Sequence, residues 1–288
     1  MRPQVKGALL LTAAVMSFST MSALVKIGGA GIPTAEIVFF RSLFGLPLLL
    51  LAAWREGADL RGVNRRLLLL RAVTGTIAVM LLFYAVARIP VGEAMLLNQC
   101  TPIFALPLAA LVLGERITWR HVVLAAVALG GVVIVIRPGT GFLNVPGLVA
   151  LASALFSAAA YVCVRRLTAT DATTTIVVWF TAFGAVATAP FAIAVYVAPT
   201  PPELLALAGV GLTAALGQIL LTMAYRRGEV GRLTVIGGLG AVFGTGFDLA
   251  LWGHVPGIVT ALGGVTVIAA CAAMQVMRAR PNDRVAGH

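Results

Sequence analysis

The sequence predicts an all-α membrane protein: ten transmembrane helices arranged as two inverted five-helix repeats. Three observations lead there. Of 288 residues, 60% are hydrophobic and 11% are charged, and the mean hydropathy is +1.01. No soluble core could hide that much apolar surface. The apolar residues fall into ten runs with brief connections between them. The second half of the chain repeats the first at an offset of 139 to 140 residues.

The ten spans read 7–28, 34–54, 67–87, 91–113, 119–136, 145–164, 174–197, 203–225, 230–252 and 255–277. Each is long enough to cross a bilayer core of about 30 Å at 1.5 Å per helical residue. The fifth is short and the ninth is rich in glycine. Residues 55–66 (REGADLRGVNRR) make a charged loop, and 279–288 make a polar tail.

Lys and Arg set the orientation. With the N-terminus in the cytoplasm, 17 of the 21 basic residues fall on the inner side, Arg71 being counted with the 55–66 loop. Arg88 and Arg137 fall outside; Lys26 and Arg41 lie within or at the edge of spans. Both termini are then cytoplasmic, and the alternation supports ten spans rather than nine or eleven. The net charge of +11 does not indicate a nucleic-acid partner, because the basic residues are scattered in small groups between apolar runs. Cys100, Cys163 and Cys271 lie inside spans and read as small buried hydrophobes, not as a disulfide or metal set.

The internal repeat is visible residue by residue. Gly7, Leu11, Ala14 and Ser17 match Gly147, Leu151, Ala154 and Ser157, and Lys26 falls on Arg166. Leu81, Leu82, Ala85, Arg88, Val91, Gly92, Phe104 and Gly114 match their partners 139 residues later. Five is odd, so the halves, 1–138 and 139–278, enter the membrane in opposite directions, an arrangement common in alternating-access transporters.

Span 4, AMLLNQCTPIFALPLAALVLGE, carries Asn98, Gln99, Cys100 and Thr101 just before Pro102, with Pro107 beyond. Each proline removes an N–H and crowds the preceding turn, so the helix should kink or unwind. The matching stretch of span 9 is GGLGAVFGTGF, residues 237–247. Gly/Pro-interrupted spans at corresponding places in two halves point to a transporter's binding site. The bland alternative is a packing kink with Asn98 and Gln99 bonded to neighbouring helices. Tyr84, Tyr161 and Gln218 are further candidates for lining a cavity, with Trp179 a weaker one that reads equally as an interface anchor.

Charges inside spans are costly and need partners or water. Glu36 and Arg41 open span 2, and Asp248 is the carboxylate of span 9. Arg41 is the expected partner of Asp248, in a hydrated setting; Lys26 and His254 are alternatives. Each of these charges reads as an interhelical clasp, as a substrate contact, or as a proton carrier. Glu93 reads as a first-turn carboxylate facing the positive helix end, and Glu115 as the partner of Arg116 or Arg120. No nucleotide loop, nucleophile elbow or zinc helix is present in the sequence. Neither an enzyme nor a cofactor is therefore expected.

The stretch FYAVARIPVGEAMLLNQCTPIFALPLAALVLGERITWRHVVLAAVALGGVVIVIRPG, with Arg41 in VFFRSLFGLPLLL and Lys26 closing span 1, resembles the EamA-type transporters of the drug/metabolite transporter superfamily. The resemblance extends over about residues 5 to 278. The second half departs from it, with Gly253-His254 where Gly-Glu often recurs and Ala241 in place of the proline. It implies a secondary transporter of the inner membrane that moves a small metabolite or drug, an amino acid or related compound foremost, through a central cavity. Coupling to protons is an open expectation, as is oligomeric state. The alternative is a non-transporting membrane scaffold or subunit.

Overall fold

The computed structural model describes residues 3–29, 31–113, 117–136, 145–225 and 234–278. Glu115, Arg116, Arg226, Arg227, Arg232 and the tail 279–288 lie outside the described residues. Regular structure among those described is helical: α1 (Pro3–Gly28), α2 (Thr34–Glu56), α3 (Arg65–Val86), α4 (Val91–Asn98), α5 (Thr101–Leu113), α6 (Trp119–Ile136), α7 (Val145–Leu167), α8 (Thr173–Ala194) and α9 (Pro201–Tyr225). A 3-10 turn (Thr234–Gly238), α10 (Leu239–Trp252) and α11 (Ile258–Arg278) follow. In lipid every backbone polar group must be satisfied within its own segment, which leaves apolar runs of this length no alternative to the helix. Among the described residues, eight segments are long and apolar enough to cross a bilayer, and Ile236–Trp252 and Ile258–Met274 are shorter apolar helical stretches.

Span 4 is divided into α4 and α5, and span 9 into the 3-10 turn and α10. The other spans are single helices. Their packing follows the repeat. Span 1 packs on span 8 and span 6 on span 3; span 2 packs on span 8 and span 7 on span 3. Spans 2, 4 and 5 pack on their own counterparts, 7, 9 and 10. Exchanging each span for the one five places away therefore maps this set of contacts onto itself.

Small residues allow the tightest crossings. A Cβ on Gly131 of α6 would come within 2.9 Å of the Gly263 carbonyl of α11. A Cβ on Gly244 of α10 would come within 2.9 Å of Gly92 Cα in α4. The buried centre gathers Val25, Ile37, Phe83, Val91, Leu97, Val132, Leu207 and Met274. At the end where α2 gives way to α3, two loops interlock. Val63 donates its N–H to Asp171 at 2.6 Å, and Trp179 Nε1 donates to the Leu60 carbonyl at 2.9 Å. Trp179 thus pins a loop.

Candidate functional site

The break in span 4 follows from its residues. In a continuous helix, residue 102 would donate its N–H to the Asn98 carbonyl; Pro102 has none. The Thr101 hydroxyl donates to that carbonyl instead, at 2.6 Å. The chain turns through Gln99 and Cys100 and resumes as α5. Pro107 lies inside α5, which continues past it, so the expected break occurs at the first proline and not at the second. In span 9 the expected glycine break also shifts. The loosened turn is Thr234–Gly238, while most of the 237–247 stretch is regular α10.

Asn98 and Gln99 then divide their roles. Asn98 Nδ2 donates to Ser153 Oγ at 2.8 Å and to Ser157 Oγ at 3.5 Å, joining span 4 to α7. This is the packing role named as the bland alternative. Gln99 turns toward the other break: a Cβ on Gly237 would stand 3.3 Å from Gln99 Nε2. The side-chain amide of Gln99 has no hydrogen bond among the described residues. Cys100 is buried in the same break, and Cys271 is buried on α11. Gln218 is partly buried on α9. Tyr84 sits under Arg88, whose guanidinium stacks 3.7 Å over the ring and bonds the Tyr84 carbonyl at 3.0 Å.

Asp248 does not pair with Arg41. Its Oδ1 accepts from Lys26 Nζ at 3.4 Å and from the Val91 N–H at 3.0 Å, and its Oδ2 accepts from the Gly92 N–H at 2.8 Å. The residue is 1% exposed, so the hydrated setting expected for it is also replaced. The reason lies in helix ends. The first N–H groups of α4 have no intrahelical partner, and Pro90 before them offers no capping side chain. A carboxylate from α10 takes that place at the positive end of the α4 dipole. The Gly92–Gly244 crossing brings it near enough. Lys26 completes the set by bonding the Ile89 carbonyl at 3.1 Å and lying 4.8 Å over the Trp252 ring. Glu93 keeps its expected place in the first turn of α4.

Glu36 and Arg41 go separate ways. Glu36 Oε2 accepts the Val197 N–H at 3.2 Å, and its Oε1 is buried without a partner. Arg41 is buried and points to α8, with its guanidinium carbon 5.3 Å from the Phe180 ring centroid. Arg71 joins it there, 4.5 Å from the same centroid. Arg71 is no loop residue. It lies six residues past Arg65 within α3, about 9 Å along the axis, and is 8% exposed. Its signal in the sequence is that it interrupts an apolar run, LLLLRAVTG. Tyr161 is 58% exposed on α7. A surface pocket of about 500 Å³, lined by Asn64, Arg66, Leu67, Leu70, Arg166 and Thr170, opens between the ends of α3 and α7. Asn98 and Gln99 do not line it.

Comparison with known proteins gives the geometry a family. A family model described as the EamA-like transporter family matches residues 5–137 and again 146–275. The pseudopaline exporter of Pseudomonas aeruginosa is 36% identical over 270 residues, covering 93% of this chain and 95% of that protein. A probable terminal-alkyne amino-acid exporter of Streptantibioticus cattleyicolor is 31% identical over 134 residues, 46% of this chain and 44% of that protein. A crystal structure at 22% identity superposes with a TM-score of 0.69 over 96% of this chain and 99% of its own, a likeness of fold. With both halves matched and a relative of that identity along nearly its whole length, this integral membrane protein belongs to the EamA-like transporter family.

Proposed function

We propose that the protein is a secondary transporter of the inner membrane that exports a small metabolite, an amino acid or related compound, by alternating access. The observation that carries this reading is the meeting of two helix breaks. Gln99, at the interruption of span 4, faces Gly237 in the 3-10 turn of span 9. Irregular backbone at membrane depth survives only where protein or a watery cavity satisfies it, and paired interruptions mark transporter sites. The repeats are 1–138 and 139–278, both termini are cytoplasmic, and rocking of one repeat on the other exposes the breaks to each side. The exporters among the relatives support the direction and the class of solute.

Asp248 is the coupling carboxylate in this scheme. It joins span 9 to Lys26 of span 1 and to the first amides of α4. Its protonation would weaken all three contacts at once and free one repeat from the other, shifting the balance between the two states.

The test uses purified full-length protein in vesicles loaded with labelled amino acids, with and without an imposed proton gradient. Gradient-dependent efflux by the wild type, reduced in Gln99→Leu without loss of folded protein, is the expected result. Normal efflux by Gln99→Leu removes the breaks from the pathway. Absence of efflux for every amino acid in the panel removes that class of substrate.

A further inference from the structure

Arg41 and Arg71 form a cationic cluster that the protein itself leaves unneutralised. Arg41 is 5% exposed and Arg71 8% exposed. Among the described residues neither guanidinium has a carboxylate partner or a hydrogen bond; Arg41 Nε, Arg71 Nε and Arg71 Nη1 are buried without one. Asp248 bonds Lys26 and the α4 amides, and Glu36 bonds Val197 through Oε2; neither pairs with the two arginines. What the guanidiniums do touch is one ring, Phe180, at 5.3 and 4.5 Å from its centroid. Cation–π attraction is a weak substitute for a counter-ion. Both cations lie on the same ring, so they also repel each other in a medium that screens poorly. A buried charge of this kind in a membrane span is conserved in energy terms only by a partner, and here the partner is missing from the fold.

Two further donors beside the cluster are unpaired as well. One turn along α8 from Phe180 is Gly184, where a Cβ would lie 3.0 Å from Ser42 Oγ and 3.6 Å from Thr76 Oγ1. Both hydroxyls are buried without a partner. Gly75, one turn past Arg71, leaves the space that Arg71 Nη1 fills. Helices α2 and α3 thus present two guanidiniums and two hydroxyls against α8, all able to donate and none bonded to an acceptor.

We infer that this cluster is a binding site for the substrate, resting on the transport reading above, and that within the class named there the substrate is an amino-acid-related compound of net charge −2, carrying two carboxylates or a phosphate ester beyond any compensated amine. Guanidinium forks match carboxylate and phosphate oxygens in pairs. A zwitterion or a monoanion would leave one arginine uncompensated. Ser42 and Thr76 supply the neutral donors for the remaining oxygens.

The experiment measures thermal unfolding of the full-length protein in neutral detergent, titrated at constant ionic strength with succinate, inorganic phosphate, acetate or glycine. A ligand of the folded state raises the unfolding midpoint. Succinate or phosphate should raise it saturably, with acetate and glycine far weaker. Arg41→Gln and Arg71→Gln should each weaken that binding about 10- to 100-fold, the worth of a hydrogen bond to a charged group. Arg66→Gln, at an exposed position on α3, should bind as wild type. Should the glutamine variants fail to fold, Arg41→Lys and Arg71→Lys keep the charge and lose the fork. Ser42→Ala and Thr76→Val then give smaller losses of the same anion.

Equal succinate binding in wild type and in both arginine variants overturns the proposal, as does glycine binding as tightly as succinate. Stabilisation by phosphatidylglycerol vesicles alone, with no response to soluble anions, also overturns it and assigns the cluster to a lipid headgroup. Efflux from vesicles is scored separately. Transport that persists without anion binding sinks this inference and leaves the transport reading standing. Anion binding without any transport overturns the transport reading and, with it, the assignment of the bound anion as substrate.

Discussion

Lys26 Nζ stands 3.4 Å from Asp248 Oδ1, joining the end of the first span to the ninth. The same carboxylate caps α4 through the Val91 and Gly92 amides, so three spans from both halves meet on one side chain. Removing one member of a buried pair strands the other at a cost of about 3–5 kcal/mol, whereas removing both is far milder. Asp248→Ala should therefore lose most of its folded yield in size-exclusion chromatography. Asp248→Asn with Lys26→Met should recover much of it. Arg41→Gln should give no rescue, because Arg41 faces Phe180. Rescue by Arg41→Gln would contradict the observed pairing.

The two prolines of span 4 should separate in function. Pro102→Ala restores an N–H aimed at the Asn98 carbonyl, which the Thr101 hydroxyl now occupies. That favours a continuous helix and should slow efflux severalfold while folded yield is kept. Pro107 is exposed within a helix that is already continuous, so Pro107→Ala should transport nearly as wild type. Equal effects of the two variants would show that the interruption is a packing feature only.

Gly244→Ala places a methyl group against the Gly92 backbone, 2.9 Å from its Cα. Neither backbone can retreat without parting α10 from α4. Overpacking of this kind costs about 1–3 kcal/mol, read as a lowered thermal midpoint. Gly246→Ala on the same helix meets nothing within 4 Å and should leave the midpoint unchanged or slightly raised.

Orientation is testable with single cysteines in a background lacking the three native ones. Labels at Arg61 and Thr170 should be reached from the cytoplasm, and a label at Thr200 only from the opposite side. One shared accessibility for Arg61 and Thr200 would break the ten-span count.

Asp171 offers a pH readout outside the spans. Partial burial pushes its carboxyl up, but the Thr170 hydroxyl and the Val63 and Asn64 amides outweigh this and hold it below the usual range. A depressed folded-state pKa contributes stability above the unfolded value, near 4 for an aspartate, and loses it as pH falls through the folded value. Unfolding followed between about pH 5 and pH 2 should therefore steepen with acid in the wild type. Asp171→Asn should flatten that dependence.

The class of fold was legible in the sequence because lipid imposes one rule on every span: enough apolar residues to cross, and a helix to satisfy the backbone. Composition, run length and the repeat offset therefore sufficed for ten spans, and Pro102 marked its own break through a missing N–H. Partnerships among charges were a different matter. Asp248 pairs with Lys26 because the Gly92–Gly244 crossing brings α10 onto the end of α4, and no spacing along the chain encodes that approach. Arg71 read as part of a basic loop because a helix can begin anywhere in RRLLLLR. Only packing of α3 against α7 and α8 carries it inside. Hydropathy acts on each span alone, so the sequence by itself determined which segments enter the membrane. Which side chains meet depends on how helices far apart in the chain cross, and that the tertiary structure alone decided.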